Sequence, residues 1–262
     1  MNLLFRIKSY FKFLKHARTT SGHGIHSPFV FYFATTILKE SKSKDVQLID
    51  LKKLLKKLKS DKRKIKVNDM GAGSVNKNHD RSIASIISNA ATPIKFCRLL
   101  NSLIKEFKPS IIIELGTSLG ISTAAMSLST LSKIFTIEGS SELALVAKDN
   151  FKKLGLNNIE QYIGPFEEHL PNLFSKIKLP FFAFIDGNHR YESTLKYFEM
   201  ISNKADNQSI VVIDDIHWSE EMEKAWDEIC KNPKVAISID LYRMGIVFFN
   251  EGLPQQRFNL LY

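Results

Sequence analysis

A run of β-branched residues breaks abruptly into glycine at residues 111–122, IIIELGTSLGIS, and this break constrains the fold more than any other stretch. Branched side chains such as those of Ile111, Ile112 and Ile113 suit a buried, pleated strand. Glu114 closes the run, Gly116 and Gly120 bracket a tight turn, and a Ser/Thr-rich, helix-forming run starts at Ile121. Strand, glycine turn and helix in that order mark the carboxyl end of a strand in an open α/β sheet. A backbone without Cβ atoms lets a ligand approach there, and the N–H groups of the helix start point at it. Alone, such a turn also reads as an ordinary βα connection. The next strand, SKIFTIEG (132–139), ends in Glu138 and Gly139, and Glu138 lies 22 residues beyond Gly116. An acidic residue about 20 positions past the turn can accept hydrogen bonds from both ribose hydroxyls of a nucleotide-like cofactor.

From Ile111 onward, strand and helix patterns alternate, which argues for a mostly parallel sheet covered on both faces. Strands are expected near 111–115, 133–138, 158–163, 180–186, 209–214, 235–240 and 243–249. Helices fill the gaps, notably 120–131, 141–154, 191–204 and 218–231. Only a few residues around Leu241 and Tyr242 separate the last two strands, too few for a crossover helix, so these two pair antiparallel. Upstream, Pro93 to Glu106 has helical periodicity and packs beside the first strand. The expected fold class is α/β: a Rossmann-like, seven-stranded, mostly parallel sheet with a C-terminal antiparallel hairpin and helices on both faces. An N-terminal helical extension, residues 1–92, precedes a core domain of 93–262.

Four segments, the ELGTSLG turn, the IEG strand end, FIDGNHRYE (184–192) and VVIDDIHW (211–218), together resemble the class I S-adenosylmethionine-dependent methyltransferases. More narrowly they are similar to the metal-assisted O-methyltransferase branch, which includes catechol and macrolide-sugar O-methyltransferases. The resemblance runs from about Ile94 to the C-terminus. The glycine spacing separates it from its main rival, since Gly116 and Gly120 with Thr117, Ser118 and Leu119 between them do not make the G-x-G-x-x-G of a dinucleotide site. The cofactor implied is S-adenosylmethionine, held by Glu114, Gly116, Thr117, Ser118, Gly120, Ser122, Glu138, Gly139 and Asp186.

Methyl transfer from a sulfonium is an in-line displacement in which positioning alone is worth roughly 7–11 kcal/mol. A divalent cation on oxygen ligands lowers the pKa of an acceptor hydroxyl while a nearby base takes its proton. Asp186 precedes the Gly187 turn and Asp214-Asp215 ends the run Ile210–Ile213, which puts three carboxylates at the ends of neighbouring strands. The resemblance implies that Asp186, Asp214 and Asp215 hold Mg²⁺, which favours carboxylate, water and substrate oxygens. It also places the base three residues after the first of these, at His189; an ordinary imidazole, with a pKa near 6.5, is a neutral base at cellular pH. Asp186 and His189 are thus the catalytic candidates, with His217 a second candidate ligand or base. The alternative for any one aspartate is a helix cap, for His189 a surface histidine, and for Trp218 a residue packed on the sheet instead of one lining an acceptor pocket. One departure stands out: many members have an acidic residue after the third strand for the adenine amino group, and this chain has Gly164-Pro165-Phe166. Glu167, or Phe166 by stacking, is left to make that contact.

Charge is concentrated at one end. Residues 1–66 carry 17 Lys and Arg against 4 Asp and Glu, whereas the remainder is slightly acidic within a total of +10. Two segments, Arg6 to Arg18 and Leu51 to Lys66, have helical spacing of apolar residues with basic residues on the other face; each reads first as a solvated helix face, with a membrane surface, an acidic partner or a nucleic acid as alternatives. RNA methylation and a catalytically silent binding protein are the competing functions. Neither an Asn-Pro-Pro-Tyr-like motif nor an RNA-binding module supports the first, and the retained glycines and carboxylates oppose the second. The expected acceptor is a small hydroxylated metabolite, such as a sugar or a natural product, and a homo-oligomer is left open. Cys97 and Cys230 form neither a metal-ligand spacing nor a disulfide framework, and no signal peptide or spanning run is evident, so a cytoplasmic location is expected. Two further segments stay open: Asp69 to Gly73 imitates a cofactor turn but reads as a loop over the site or a surface turn, and His23 and His26 fall in a turn entering a helix at Pro28 or in a lid.

Overall fold

The computed structural model describes residues 3–43, 48–67, 79–250 and 254–262. In chain order the elements are helices α1 (Leu3–His16), α2 (Pro28–Tyr32), α3 (Leu38–Ser41) and α4 (Ile49–Lys59), with a π-helical turn at Phe33–Ile37. Strands β1 (Lys64–Val67) and β2 (His79–Ser82) follow, then α5 (Ile83–Ala90) and α6 (Ile94–Phe107). The α/β part comprises β3 (Ile111–Leu115), α7 (Ile121–Ser127), β4 (Lys133–Glu138), α8 (Ser141–Lys153), β5 (Ile159–Ile163), α9 (Phe166–Phe174), β6 (Phe181–Ile185), α10 (Tyr191–Ser202), β7 (Ile210–Ile213) and α11 (Glu220–Lys231). Strands β8 (Val235–Asp240), β9 (Gly245–Phe249) and β10 (Gln256–Asn259) complete it.

The chain divides into two compact units, residues 40–177 and residues 1–39 with 178–262. In the first, β3, β4 and β5 run parallel, Ile112 opposite Ile134 and Ile134 opposite Ile159. Every β3 residue is buried, as expected of a strand covered on both faces. The basic segment Leu51–Lys66 departs from the expectation in its second half. Helix α4 stops at Lys59, and Lys64–Val67 alternates in burial and pairs antiparallel with β2. Alternating Lys with Ile65 and Val67 fits a strand as well as a helix, and pairing decides between them. On α4, Leu51, Leu54 and Leu58 pack with Ile83, Ile86 and Ile87 of α5 and with Ile121, Ala124 and Ala125 of α7, while Lys53, Lys56, Lys57 and Lys59 stay exposed. The solvated-face reading therefore holds for α4. The Asp69–Gly73 imitation lies outside the described residues, and β2 begins at His79.

In the other unit the strand order is β10-β8-β9-β7-β6. β6 and β7 are parallel, β9 runs antiparallel to both β7 and β8, and the antiparallel hairpin expected around Leu241 and Tyr242 is present. One strand more than expected appears: β10 pairs parallel with β8, bringing the strands of this unit to five among the described residues. Its sequence, QRFN, has no β-branched residue and only Phe258 to favour a strand, a weak signal of its own. The core gathers Phe181, Phe182 and Phe184 of β6, Tyr197 and Phe198 of α10 and Trp226 of α11, all buried. The N-terminal residues join it: Phe29 and Phe33 meet Phe248 edge-on at 4.9 and 5.9 Å between ring centroids.

Candidate functional site

Unit 40–177 builds a glycine turn and a carboxylate at the ends of β3 and β4. Gly116 has φ of 103° and its N–H donates to the Ile137 carbonyl at 3.0 Å, bending the chain out of β3. Gly120, at φ of 79°, precedes α7, and a Cβ there would lie 2.4 Å from the Phe151 ring. Only glycine fits such a left-handed, crowded position. Between them the Thr117 hydroxyl meets that of Thr136 at 2.5 Å. Glu138 holds the turn together: one carboxylate oxygen accepts from the Ser118 N–H at 2.7 Å and the other from the Ser140 N–H at 3.0 Å. The expected acid and the expected glycine turn are thus in direct contact, with Gly139 between the two bonded segments.

Glu114 and Ser122 do something else. Glu114 is fully buried and its oxygens accept from the hydroxyls of Ser122 (2.6 Å), Thr123 and Thr136 (2.6 Å). Burial pushes its carboxyl up to about 7, with the three hydroxyls pulling the other way. A group enclosed in this way ties β3, β4 and α7 together; the two side chains expected at the cofactor are part of the turn's support instead.

In the other unit, Asp186 follows β6 and Asp214-Asp215 follows β7, the Asp214 N–H donating to the Ile185 carbonyl at 2.9 Å. Asp186 and His189 are neighbours, Nε2 lying 3.7 Å from Oδ1. Asp214 is completely buried and faces a cation of the protein's own: Arg243, in the turn between β8 and β9, donates from Nε at 2.9 and 3.2 Å and from Nη2 at 2.7 Å. Its Nε also lies 3.7 Å from Asp215. Burial disfavours the Arg243 charge, but Asp214, Asp215 and Asp186 outweigh it and hold the guanidinium firmly protonated. Asp215 is pushed up by burial and by the adjacent Asp214 charge. Two-pronged guanidinium contact of this kind engages both carboxylate oxygens. The set expected to bind Mg²⁺ does not fit one, because Asp214 is already committed to Arg243. Among the described residues no group of three or more His, Cys, Asp or Glu is arranged to hold a metal ion.

His217 is neither ligand nor base. Its Nδ1 lies 2.7 Å from Glu223 and its Nε2 2.8 Å from Asp240, so both ring nitrogens face carboxylates. Burial lowers its pKa, yet the bonds to Asp240 and Glu223 prevail and raise it to about 9. Glu223 is correspondingly held down at about 2, mainly by His217. Ser9 of α1 also donates to Glu223 at 2.5 Å, and the ring stacks on Tyr242 at 5.0 Å. A proton held that firmly is structural.

The remaining candidates sort simply. Phe166 and Glu167 stand in the first turn of α9, after Pro165. His23 and His26 are exposed, and the expected helix does begin at Pro28, capped by Ser27. Trp218 precedes the Ser219 cap of α11 and lies under the Arg6 guanidinium, 5.1 Å from the ring centre. Sequence reasoning missed Arg243, Glu223 and Asp240. The signal for Arg243 was the antiparallel β7–β9 register, Ile213 opposite Gly245, which sets residue 243 beside the end of β7.

Residues 113–216 match the family model described as a methyltransferase domain. Solved structures similar to most of the chain include the O-methyltransferase TomG of Streptomyces achromogenes, involved in tomaymycin synthesis and solved with S-adenosylmethionine, at 16% identity, 84% of this chain, 95% of that one and a TM-score of 0.58. Podospora anserina methyltransferase PaMTH1, bound to S-adenosylhomocysteine, is 13% identical over 87% of this chain and 97% of its own, with a TM-score of 0.59. The Bacillus cereus O-methyltransferase in complex with S-adenosylhomocysteine is 16% identical over 83% and 96%, at 0.56. At these identities the likeness establishes the fold, which this chain shares with all three. A search of curated protein sequences finds no match.

Proposed function

We propose that this protein is a methyltransferase that uses S-adenosylmethionine to methylate a hydroxyl of a small metabolite. The observation that carries the reading is the grip of Glu138 on Ser118 within the Gly116–Gly120 turn. A carboxylate at the end of the second parallel strand suits ribose hydroxyls, and a turn without Cβ atoms at Gly116 and Gly120 admits the rest of a nucleoside. Three structural neighbours carry this cofactor or its demethylated product.

Bound, the cofactor supplies an electrophilic methyl group on a sulfonium sulfur. His189 would take the proton of the acceptor hydroxyl, whose oxygen would bond to the methyl carbon as the carbon–sulfur bond breaks and the demethylated cofactor leaves, and Asp186, 3.7 Å from its Nε2, would orient the ring. No step runs through Mg²⁺, since Arg243 already neutralises Asp214. Both cysteines are buried free thiols, in keeping with a reducing cytoplasm. Among the described residues no helix is long and apolar enough to cross a membrane.

Calorimetric titration with S-adenosylhomocysteine tests the reading. Micromolar-range binding, indifferent to EDTA and lost in Glu138→Ala, is the expected result; no heat of binding with the wild-type protein would sink it.

A further inference from the structure

Helix α1 has two faces with different fates. Its inner face is fastened: Ser9 bonds to Glu223, Phe13 is buried 5.4 Å from the Tyr242 ring, and the Tyr242 hydroxyl donates to the Arg6 carbonyl at 2.9 Å. The outer face is apolar and basic together. Leu4, Ile7 and Phe11, at helical spacings of three and four, are 70%, 45% and 61% exposed, and Tyr10 beside them is 44% exposed. Lys8, Lys12 and Lys15 are exposed along one flank of that stripe. Trp218, 39% exposed and covered by Arg6, extends the patch beyond the helix. The helix has no Asp or Glu anywhere in Leu3–His16.

Helix α4 shows the ordinary alternative, burying Leu51, Leu54 and Leu58 and turning Lys53, Lys56, Lys57 and Lys59 to water, with Ile49 exposed in its first turn. On α1 large apolar side chains are left outside on a helix whose orientation is locked, so the exposure is a property of the docked helix and not of a loose one. A contiguous apolar patch rimmed by charge marks an interaction surface. We infer that the outer face of α1, with Trp218, docks the protein onto an anionic lipid surface. Leu4, Ile7, Phe11 and Trp218 would enter the headgroup boundary, while Lys8, Lys12 and Lys15 keep their ammonium groups at the phosphates. A second copy of the chain fits less well. A two-fold contact presents α1 to itself, and the lysines would meet lysines with no acid on the helix to pair them. Nucleic-acid phosphates would satisfy the lysines and leave the Leu4–Ile7–Phe11 stripe without a use.

The test uses the full-length protein with vesicles of phosphatidylcholine, with and without phosphatidylserine. Co-flotation with the anionic vesicles only, with a blue shift of Trp218 emission, is expected; Trp226 is buried and reports no change. Replacing Leu4, Ile7 and Phe11 together by Gln should weaken vesicle binding about tenfold or more. Replacing Lys8, Lys12 and Lys15 by Gln should weaken it roughly a hundredfold. All six positions are exposed, so both triple variants should melt with the wild type. Absence of vesicle binding overturns the inference, as does equal binding to neutral vesicles. So does a dimer in sedimentation velocity that the Leu4/Ile7/Phe11 variant abolishes, or binding to polyuridylate that only the lysine variant loses, in a protein that ignores vesicles.

Discussion

Replacing Arg243 with Met removes the guanidinium and keeps most of the side chain's apolar length. Asp214 is then left completely buried, with three hydrogen bonds lost and Asp215 adjacent as a second negative charge. Breaking a buried pair from one side costs about 3–5 kcal/mol, because the remaining charge stays out of water uncompensated. For a chain of this size each kcal/mol moves the melting temperature by about 2–4 °C, so a fall of roughly 10 °C is expected. Asp214→Asn added to the Met variant should return most of the loss, since the unpaired charge is its cause. Thermal melts of wild type, Arg243→Met and Arg243→Met/Asp214→Asn, each with Mg²⁺ and with EDTA, read both expectations. A wild type that melts higher in Mg²⁺ or loses turnover in EDTA, or an Arg243→Met protein that melts like the wild type, would refute the assignment of Arg243 to the cation's place.

Two other perturbations test the supports around the site. His217 is raised from 6.5 unfolded to about 9 folded, so its contribution is complete below pH 6.5 and is lost as pH rises through 9; urea titrations across that window should lose about 3 kcal/mol in the wild type and show a flatter profile in His217→Gln. The same bond has an acid limb through Glu223, whose carboxylate, held at about 2, contributes above pH 4.5 and stops contributing as pH falls through 2. Gly120→Ala should cost about 2–4 kcal/mol, from the left-handed φ and the Cβ driven to 2.4 Å from the Phe151 ring. A melt within a degree of wild type would show that the turn can relax.

Residues 111–249 announced themselves because their signals are local. Ile111–Ile113, Ile134–Ile137 and Ile210–Ile213 are largely apolar runs closed by Glu or Asp, and each became a buried strand with the expected helix after it. The glycine turn and Glu138 were legible for the same reason, as a spacing along one stretch of chain. Strand β10 was not legible, since QRFN acquires strand geometry only by pairing with Ile237–Asp240. Lys64–Val67 likewise needed His79–Ser82 to choose strand over helix.

The charges divide the same way. That Asp186, Asp214 and Asp215 end their strands follows from the order of residues in the chain. Which cation Asp214 meets depends on β9 returning beside β7 and carrying Arg243 across a separation of 29 residues. The pairing of Ser9 with His217 and Glu223 spans more than 200 residues and exists only once α1 is packed. Local pattern selects element type and the positions of turns, because backbone sterics and apolar periodicity act over a few residues. Packing selects partners, because a Coulomb contact or a hydrogen bond is decided by distances of a few ångström that the order of residues does not contain. The sequence therefore determined the α/β scaffold and its glycine turn, and only the tertiary structure decided that Arg243 takes up Asp214 and that His217 is held as a cation.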